Sequence, residues 1–124
     1  IYKDKEEKWV TFEVEEVIEH IKFLVEKYNT TYLSVYDDDS FIDVKRMKLM
    51  LERIVEEGLK LTIDFRGARI NELDRLNDEY LELMVRAGVS HFQVGLESGS
   101  QKVLNIMNKK INYDQIIRVN KRLA

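Results

Sequence analysis

Gly95-Leu96-Glu97-Ser98-Gly99-Ser100 sets a carboxylate and two hydroxyls, flanked by glycines, where an apolar run gives way to a helical pattern. In a parallel α/β protein, ligands bind in the crevice beyond the carboxyl ends of the strands. Glu97 and Ser98 are therefore candidate ligand contacts. Two further polar stretches follow apolar runs in the same way: Asp37-Asp38-Asp39-Ser40, and Asp64-Phe65-Arg66-Gly67-Ala68-Arg69. Three like charges in succession repel. If buried together, they would need a cation, an ammonium group or protons to neutralise them. Magnesium is one solution, and the ammonium of an amino-acid-like ligand is another; a solvated turn capping the next helix is the plain alternative. The forks of Arg66 and Arg69 suit a carboxylate, and Gly67 between them would let backbone approach a ligand closely.

These residues need strands to carry them. Thr31 to Tyr36, Leu59 to Phe65 and His91 to Leu96 are rich in β-branched or aromatic residues and recur at the interval of a βα unit. Helical stripes lie between them: Val14, Val17, Ile18, Ile21, Leu24, Val25 and Tyr28 form one, and Val44, Met47, Leu51, Ile54 and Val55 a second. Thr11, Asp43 and Asn77 are placed to cap three helices, with Leu76 and Leu81 as a hydrophobic staple on the third. Gly58 and Gly88 supply left-handed stops, and Asn112 with Gln115 marks a last helix beginning near Tyr113. The expected order is helix, strand, helix, strand, helix, strand, short helix, helix. Alternation of this kind means parallel strands with right-handed crossovers. The strand ends, with Asp37 to Ser40, with Asp64, Arg66 and Arg69, and with Glu97 and Ser98, should then share one rim.

Composition narrows the classes. A chain of 124 residues with 44% apolar content builds one core, so residues 1–124 read as a single domain. A net charge of -3 gives no indication of nucleic acid as a partner. There is no apolar run long enough to cross a bilayer and no signal peptide at Ile1 to Lys5, which makes the cytoplasm the expected compartment. Cysteine is absent, so no disulfide, thiolate zinc site or cysteine-held cluster can rest on these residues. His20 and His91 lack metal-ligand companions at useful spacing and read as structural or solvent-facing; Met47, Met50, Met84 and Met107 read as packing residues. Tyr2 and Trp9 precede the first helix without an assignable role. The first residue is not Met and Ala124 ends within a helical pattern, pointing to a piece of a longer protein.

The succession Tyr36-Asp37-Asp38-Asp39-Ser40-Phe41, Asp64-Phe65-Arg66-Gly67-Ala68-Arg69, Ala87-Gly88-Val89 and Gly95-Leu96-Glu97-Ser98-Gly99-Ser100, with Leu104 and Lys109, resembles the middle of a radical S-adenosylmethionine enzyme. The likeness runs from Thr11 to Ala124 and is nearest to the branch often fused to cobalamin-binding domains. It implies an α/β fragment of a partial TIM-type (β/α) barrel, with about three parallel strands and flanking helices, which would be the second to fourth strands. The rest of the parent chain would complete the barrel. It further implies S-adenosylmethionine and a 4Fe-4S cluster as cofactors of the parent, with cobalamin a possible addition. There the cluster reductively cleaves S-adenosylmethionine to methionine and a 5′-deoxyadenosyl radical that abstracts hydrogen from a substrate. By the same resemblance, Asp38, Asp39 and Ser40 occupy the place of the glycine-rich motif that meets the cofactor's amino group. Glu97 and Ser98 match a polar element near its ribose and methionine moiety, and Arg69 matches a recurrent arginine. The three cluster cysteines of the family should lie just before Ile1, so the isolated chain is expected to be inactive. Two other readings compete: a magnesium-dependent α/β enzyme or phosphoryl-acceptor module using Asp37 to Asp39, and a non-catalytic interaction domain pairing through open sheet edges.

Overall fold

Helical stripes and period-two runs alternate along the chain, and the computed structural model, which describes residues 11–124, builds them into a βα succession. The order is α1 (Val14–Tyr28), β1 (Tyr32–Val35), α2 (Val44–Glu56), β2 (Thr62–Ala68), α3 (Ile70–Leu73), α4 (Asp78–Arg86), β3 (Val89–Val94), α5 (Gln101–Ile106) and α6 (Tyr113–Leu123). The three strands form one sheet in the order β1-β2-β3, and both pairings are parallel. This is the α/β arrangement of a partial TIM-type barrel, and all three strand ends point to one rim. Tyr2, Trp9 and the Ile1 to Lys5 stretch lie outside the described residues. Among the described residues no helix is long and apolar enough to cross a membrane.

One sheet face is apolar. Ile63 and Phe65 are buried, Leu33, Val35, Phe92 and Val94 pack around them, and Ile18, Ile21, Met47, Leu51, Ile54, Leu83 and Met84 come from the helices above. A cluster of three rings centres this layer: Phe41 lies 5.0 Å from Phe65 and 6.0 Å from Phe92, and Phe65 lies 6.0 Å from Phe92. The α1 stripe is shorter than the periodicity implies, for Tyr28 is 60% exposed.

Most helix termini follow the sequence signals. Asp43 accepts from the Arg46 N–H at 2.9 Å, Asn77 from Tyr80 at 2.9 Å and Asn112 from Gln115 at 2.8 Å. Gly58 and Gly88 take the positive φ values a left-handed stop requires. Thr11 does not cap α1. The helix begins only at Val14, so the cap position falls on Glu13, whose N–H donates to Glu16 at 3.1 Å.

The bounds of β2 and β3 differ most from expectation, while β1 is one residue shorter at each end. β2 begins and ends three residues later, because Arg66 and Gly67 continue the extended backbone instead of leaving it. β3 begins two residues earlier, straight after Gly88. The short α3 was not foreshadowed; its four residues bury Ile70 and Leu73 and leave too little sequence for a period to register.

Candidate functional site

The loop after β1 crosses directly over the end of β2. The Ser40 N–H donates to the Gly67 carbonyl at 2.8 Å. A Cβ on Gly67 would fall far inside van der Waals contact with the Asp37 carbonyl oxygen. The close approach that Gly67 permits is thus by its own chain rather than by a ligand, which corrects the sequence expectation. Asp37 and Asp38 are exposed, while Asp39 turns inward and its side chain is only 8% exposed. Arg69 neutralises it as an ion pair, its Nε lying 3.1 Å from Asp39 Oδ2. The three aspartates therefore do not form a buried cluster, and among the described residues no three His, Cys, Asp or Glu side chains are grouped to hold a metal. Arg69 thus already supplies the cation that the inward-facing carboxylate needs. Asp39 Oδ1 and Ser40 Oγ are buried without a hydrogen-bond partner among the described residues.

The end of β3 is organised by a tight turn centred on Glu97. The Ser98 N–H donates to the Leu96 carbonyl at 2.7 Å, and Glu97 adopts φ 64°. The left-handed conformation costs an ordinary residue ~1–2 kcal/mol. Glu97 Oε1 folds back over Gly95 and accepts from Lys109 Nζ at 3.1 Å. Ser98 Oγ accepts from the Ser100 N–H at 3.0 Å, tying the turn to the start of α5. Leu104, fully buried, anchors that helix below.

Sequence reasoning missed a constellation on the other sheet face. Asp64 is 4% exposed and accepts from Tyr32 Oη at 2.8 Å and Ser34 Oγ at 3.3 Å. Arg66 Nε lies 2.7 Å from Asp64 Oδ2, and Nη1 donates to Gln93 at 3.2 Å. The Tyr36 ring lies 5.8 Å from its Cζ. The Asp64 charge holds Arg66 firmly protonated, and the hydrogen bond to Asp64 raises the Tyr32 pKa. Period two puts Asp64 and Arg66 on one face, but only the register Ser34 to Asp64 to His91 joins three strands there. Asp64 and Arg66 thus sit within β2, on its side, not at its end as the sequence suggested.

A pocket of about 680 Å³ opens between the ends of β2 and β3 and the loop from Asn108 to Ile111. Asp38 and Arg69 border it, whereas Asp39, Ser40, Glu97 and Ser98 do not line it. A second pocket, of about 660 Å³, lies under the acidic loop against α1 and α2 and is lined by Asp38, Asp39, Ser40 and Arg69 together with apolar side chains. The structure therefore gathers Asp38, Asp39, Ser40 and Arg69, and sets Glu97 and Ser98 apart on the β3 side.

The amino-acid sequence matches a known family along its whole length: residues 1–124 match the Radical SAM superfamily. The chain belongs to that superfamily. It is also 27% identical over 110 residues, 89% of its own length, to a protein of Pyrococcus horikoshii named an uncharacterized methyltransferase. The chain spans only 23% of that relative. No solved structure matches it.

Radical SAM chemistry implies two groups, and this chain's residues suit them differently. The partnerless buried oxygens of Asp39 and Ser40 are acceptors that an ammonium group would satisfy. For a cluster the chain offers no thiolate, having no cysteine, and its residues do not fit that group.

Glu72 on α3 adds a pH dependence to this rim. Burial, then the nearby Asp39 charge, raises its pKa above the ordinary 4.5. A carboxyl whose folded pKa is raised binds its proton more tightly when folded, so its stabilising effect is complete below 4.5 and lost as pH rises through the folded value. Glu72→Gln should flatten that decline and leave the variant more stable than wild type at neutral pH. Urea midpoints from pH 4 to pH 8 (on the order of one unit apart) would measure it; parallel curves would remove Glu72 as the cause.

Proposed function

We propose that this chain is one domain forming the middle part of a radical SAM barrel, and that its rim holds S-adenosylmethionine in a parent enzyme. The remaining βα units of the parent would pair at the open edges of β1 and β3 and enclose the polar sheet face. The observation that carries this reading is the pair of buried, partnerless acceptors, Asp39 Oδ1 and Ser40 Oγ, at the C-terminal rim of parallel strands. They suit the methionine ammonium, with Asp38 beside them. Across the rim, Glu97 and Ser98 suit the ribose hydroxyls, since carboxylate oxygens accept well from such donors. Arg69 orients Asp39 and stands ready for a carboxylate.

When bound, S-adenosylmethionine supplies the adenosyl group from which the radical chemistry of the family proceeds. The residues here bind it, orient it and exclude water. Cysteines elsewhere in the parent would have to hold the cluster, and anaerobic reconstitution of this chain with iron and sulfide should leave it without one. Stoichiometric iron and sulfide on the chain would contradict that. Methyl transfer, with cobalamin as a further cofactor, is the finer reading. Its support is the name of the Pyrococcus relative and the motif resemblance.

Glu97→Ala in the cluster-loaded parent should weaken S-adenosylmethionine binding by about 1.5–3 kcal/mol, roughly ten- to a hundredfold. Alanine meets the same left-handed backbone cost as glutamate, so the change isolates the carboxylate. Ser98→Ala should cost less, because a neutral hydroxyl makes the weaker bond. Calorimetric titration with circular dichroism as folding control measures both. Wild-type affinity in folded Glu97→Ala would leave the carboxylate as no more than the partner of Lys109.

A further inference from the structure

We propose that the 680 Å³ pocket between β2, β3 and the 108–111 loop binds the carboxylate or phosphate of a small molecule other than S-adenosylmethionine, with Arg66 as its anchor. Four cationic side chains, Arg66, Arg69, Lys109 and Lys110, stand on its wall against one acid, Asp38. Three of the four are held by carboxylates that do not line the pocket. Asp64 holds Arg66 at 2.7 Å, Asp39 holds Arg69 at 3.1 Å and Glu97 holds Lys109 at 3.1 Å. Two of these acids, Asp64 and Asp39, are buried behind their cations. Three of the four heads are thus held in place, which lowers the ordering cost of binding.

Arg66 is the most constrained of them. Its Nε is engaged by Asp64 and Ser34, its Nη1 by Gln93, and its guanidinium lies over Tyr36. Its Nη2 has no partner among the described residues. A planar guanidinium held this way recognises planar or tetrahedral oxyanions by shape, beyond what charge alone gives. Each held pair is neutral overall, so the attraction is short-ranged. The volume suits a small molecule. A parallel sheet normally has both faces covered; here the Arg66 face is polar, which suits a ligand-filled space better than packing. The residues proposed above for S-adenosylmethionine leave this wall free, apart from Asp38 and Arg69. Naming the bound molecule a substrate rests on the radical SAM reading; the anion site does not.

Titration of the ¹⁵N-labelled chain with succinate and with inorganic phosphate, at constant ionic strength made up with chloride, tests the site. Saturable shifts are expected at the Arg66 Nε–H and at the amides of Gly67, Gly95 and Lys110. Arg66→Lys keeps a charge beside Asp64, so the fold is retained, and should weaken binding by about tenfold or more. Exposed Lys110→Gln should weaken it only about two- to fivefold. Shifts that chloride reproduces, shifts that never saturate, or wild-type affinity in folded Arg66→Lys would overturn the proposal. S-adenosylhomocysteine added to the succinate complex distinguishes the two sources of carboxylate. Displacement of succinate would assign the pocket to the cofactor and overturn the proposal, and undiminished succinate binding together with S-adenosylhomocysteine shifts at Asp39 and Ser40 supports it. Absence of any S-adenosylhomocysteine effect on the spectrum counts against the cofactor rim alone.

Discussion

Phe41→Ala should cost about 3–5 kcal/mol, a large share of the roughly 5–15 kcal/mol that holds a domain together. The ring is fully buried and meets Phe65 at 5.0 Å and Phe92 at 6.0 Å, so its removal opens a cavity between two strands and the loop that follows β1. The same ring anchors the acidic loop: Ser40 precedes it, and Asp43, two residues on, caps α2. Loss of Phe41 should therefore disturb the rim as well as the core. Phe41→Leu retains most of the apolar contact and should lose much less. Phe12, at 75% exposure, is the control, and Phe12→Ala should stay within about 0.5 kcal/mol of wild type. Urea unfolding followed by circular dichroism separates the three, and coincident midpoints for Phe41→Ala and Phe12→Ala would refute the packing argument.

How much of this was legible in the sequence depended on the range of the interaction. Caps at Asp43, Asn77 and Asn112 and stops at Gly58 and Gly88 are governed by hydrogen bonds and φ angles a few residues apart, and they stand where the sequence put them. Parallel strands followed from the alternation of periods. The end of β2 did not, because Arg66 and Gly67 break an apolar run, although Arg66 lies on the polar face of the sheet and Gly67 lies under the loop that follows β1. Arg69 and Asp39 were each visible as candidates, yet their pairing joins two strand ends thirty residues apart. The Asp64 and Arg66 constellation required a three-strand register that no local pattern encodes. Lys109 reaches Glu97 only because α5 is short and the chain turns back to the rim after it.

The role of Gly67 was legible in kind but reversed in partner, and its substitution has the other large expected effect. Gly67→Ala should cost about 3 kcal/mol, at the upper end of what overpacking usually costs. The added methyl would meet the Asp37 carbonyl oxygen and the carbonyl carbons of Asp37 and Asp38. All three are backbone atoms of a loop fixed on both sides, so no side-chain rotation relieves the contact. The loop must lift, and lifting it breaks the bond from the Ser40 N–H to the Gly67 carbonyl and draws Asp39 away from Arg69. Gly99 offers the contrast, since nothing lies within 4 Å of the position a methyl would take there; Gly99→Ala should be near neutral. Chemical denaturation gives the energies, and the Arg69 Nε–H resonance reports whether the Asp39 contact survives. A Gly67→Ala chain as stable as Gly99→Ala, with that resonance unmoved, would mean that the loop does not cross β2 so closely. The approach that brings Asp39 and Ser40 to the rim, and with it the ammonium site, would then have to be redrawn.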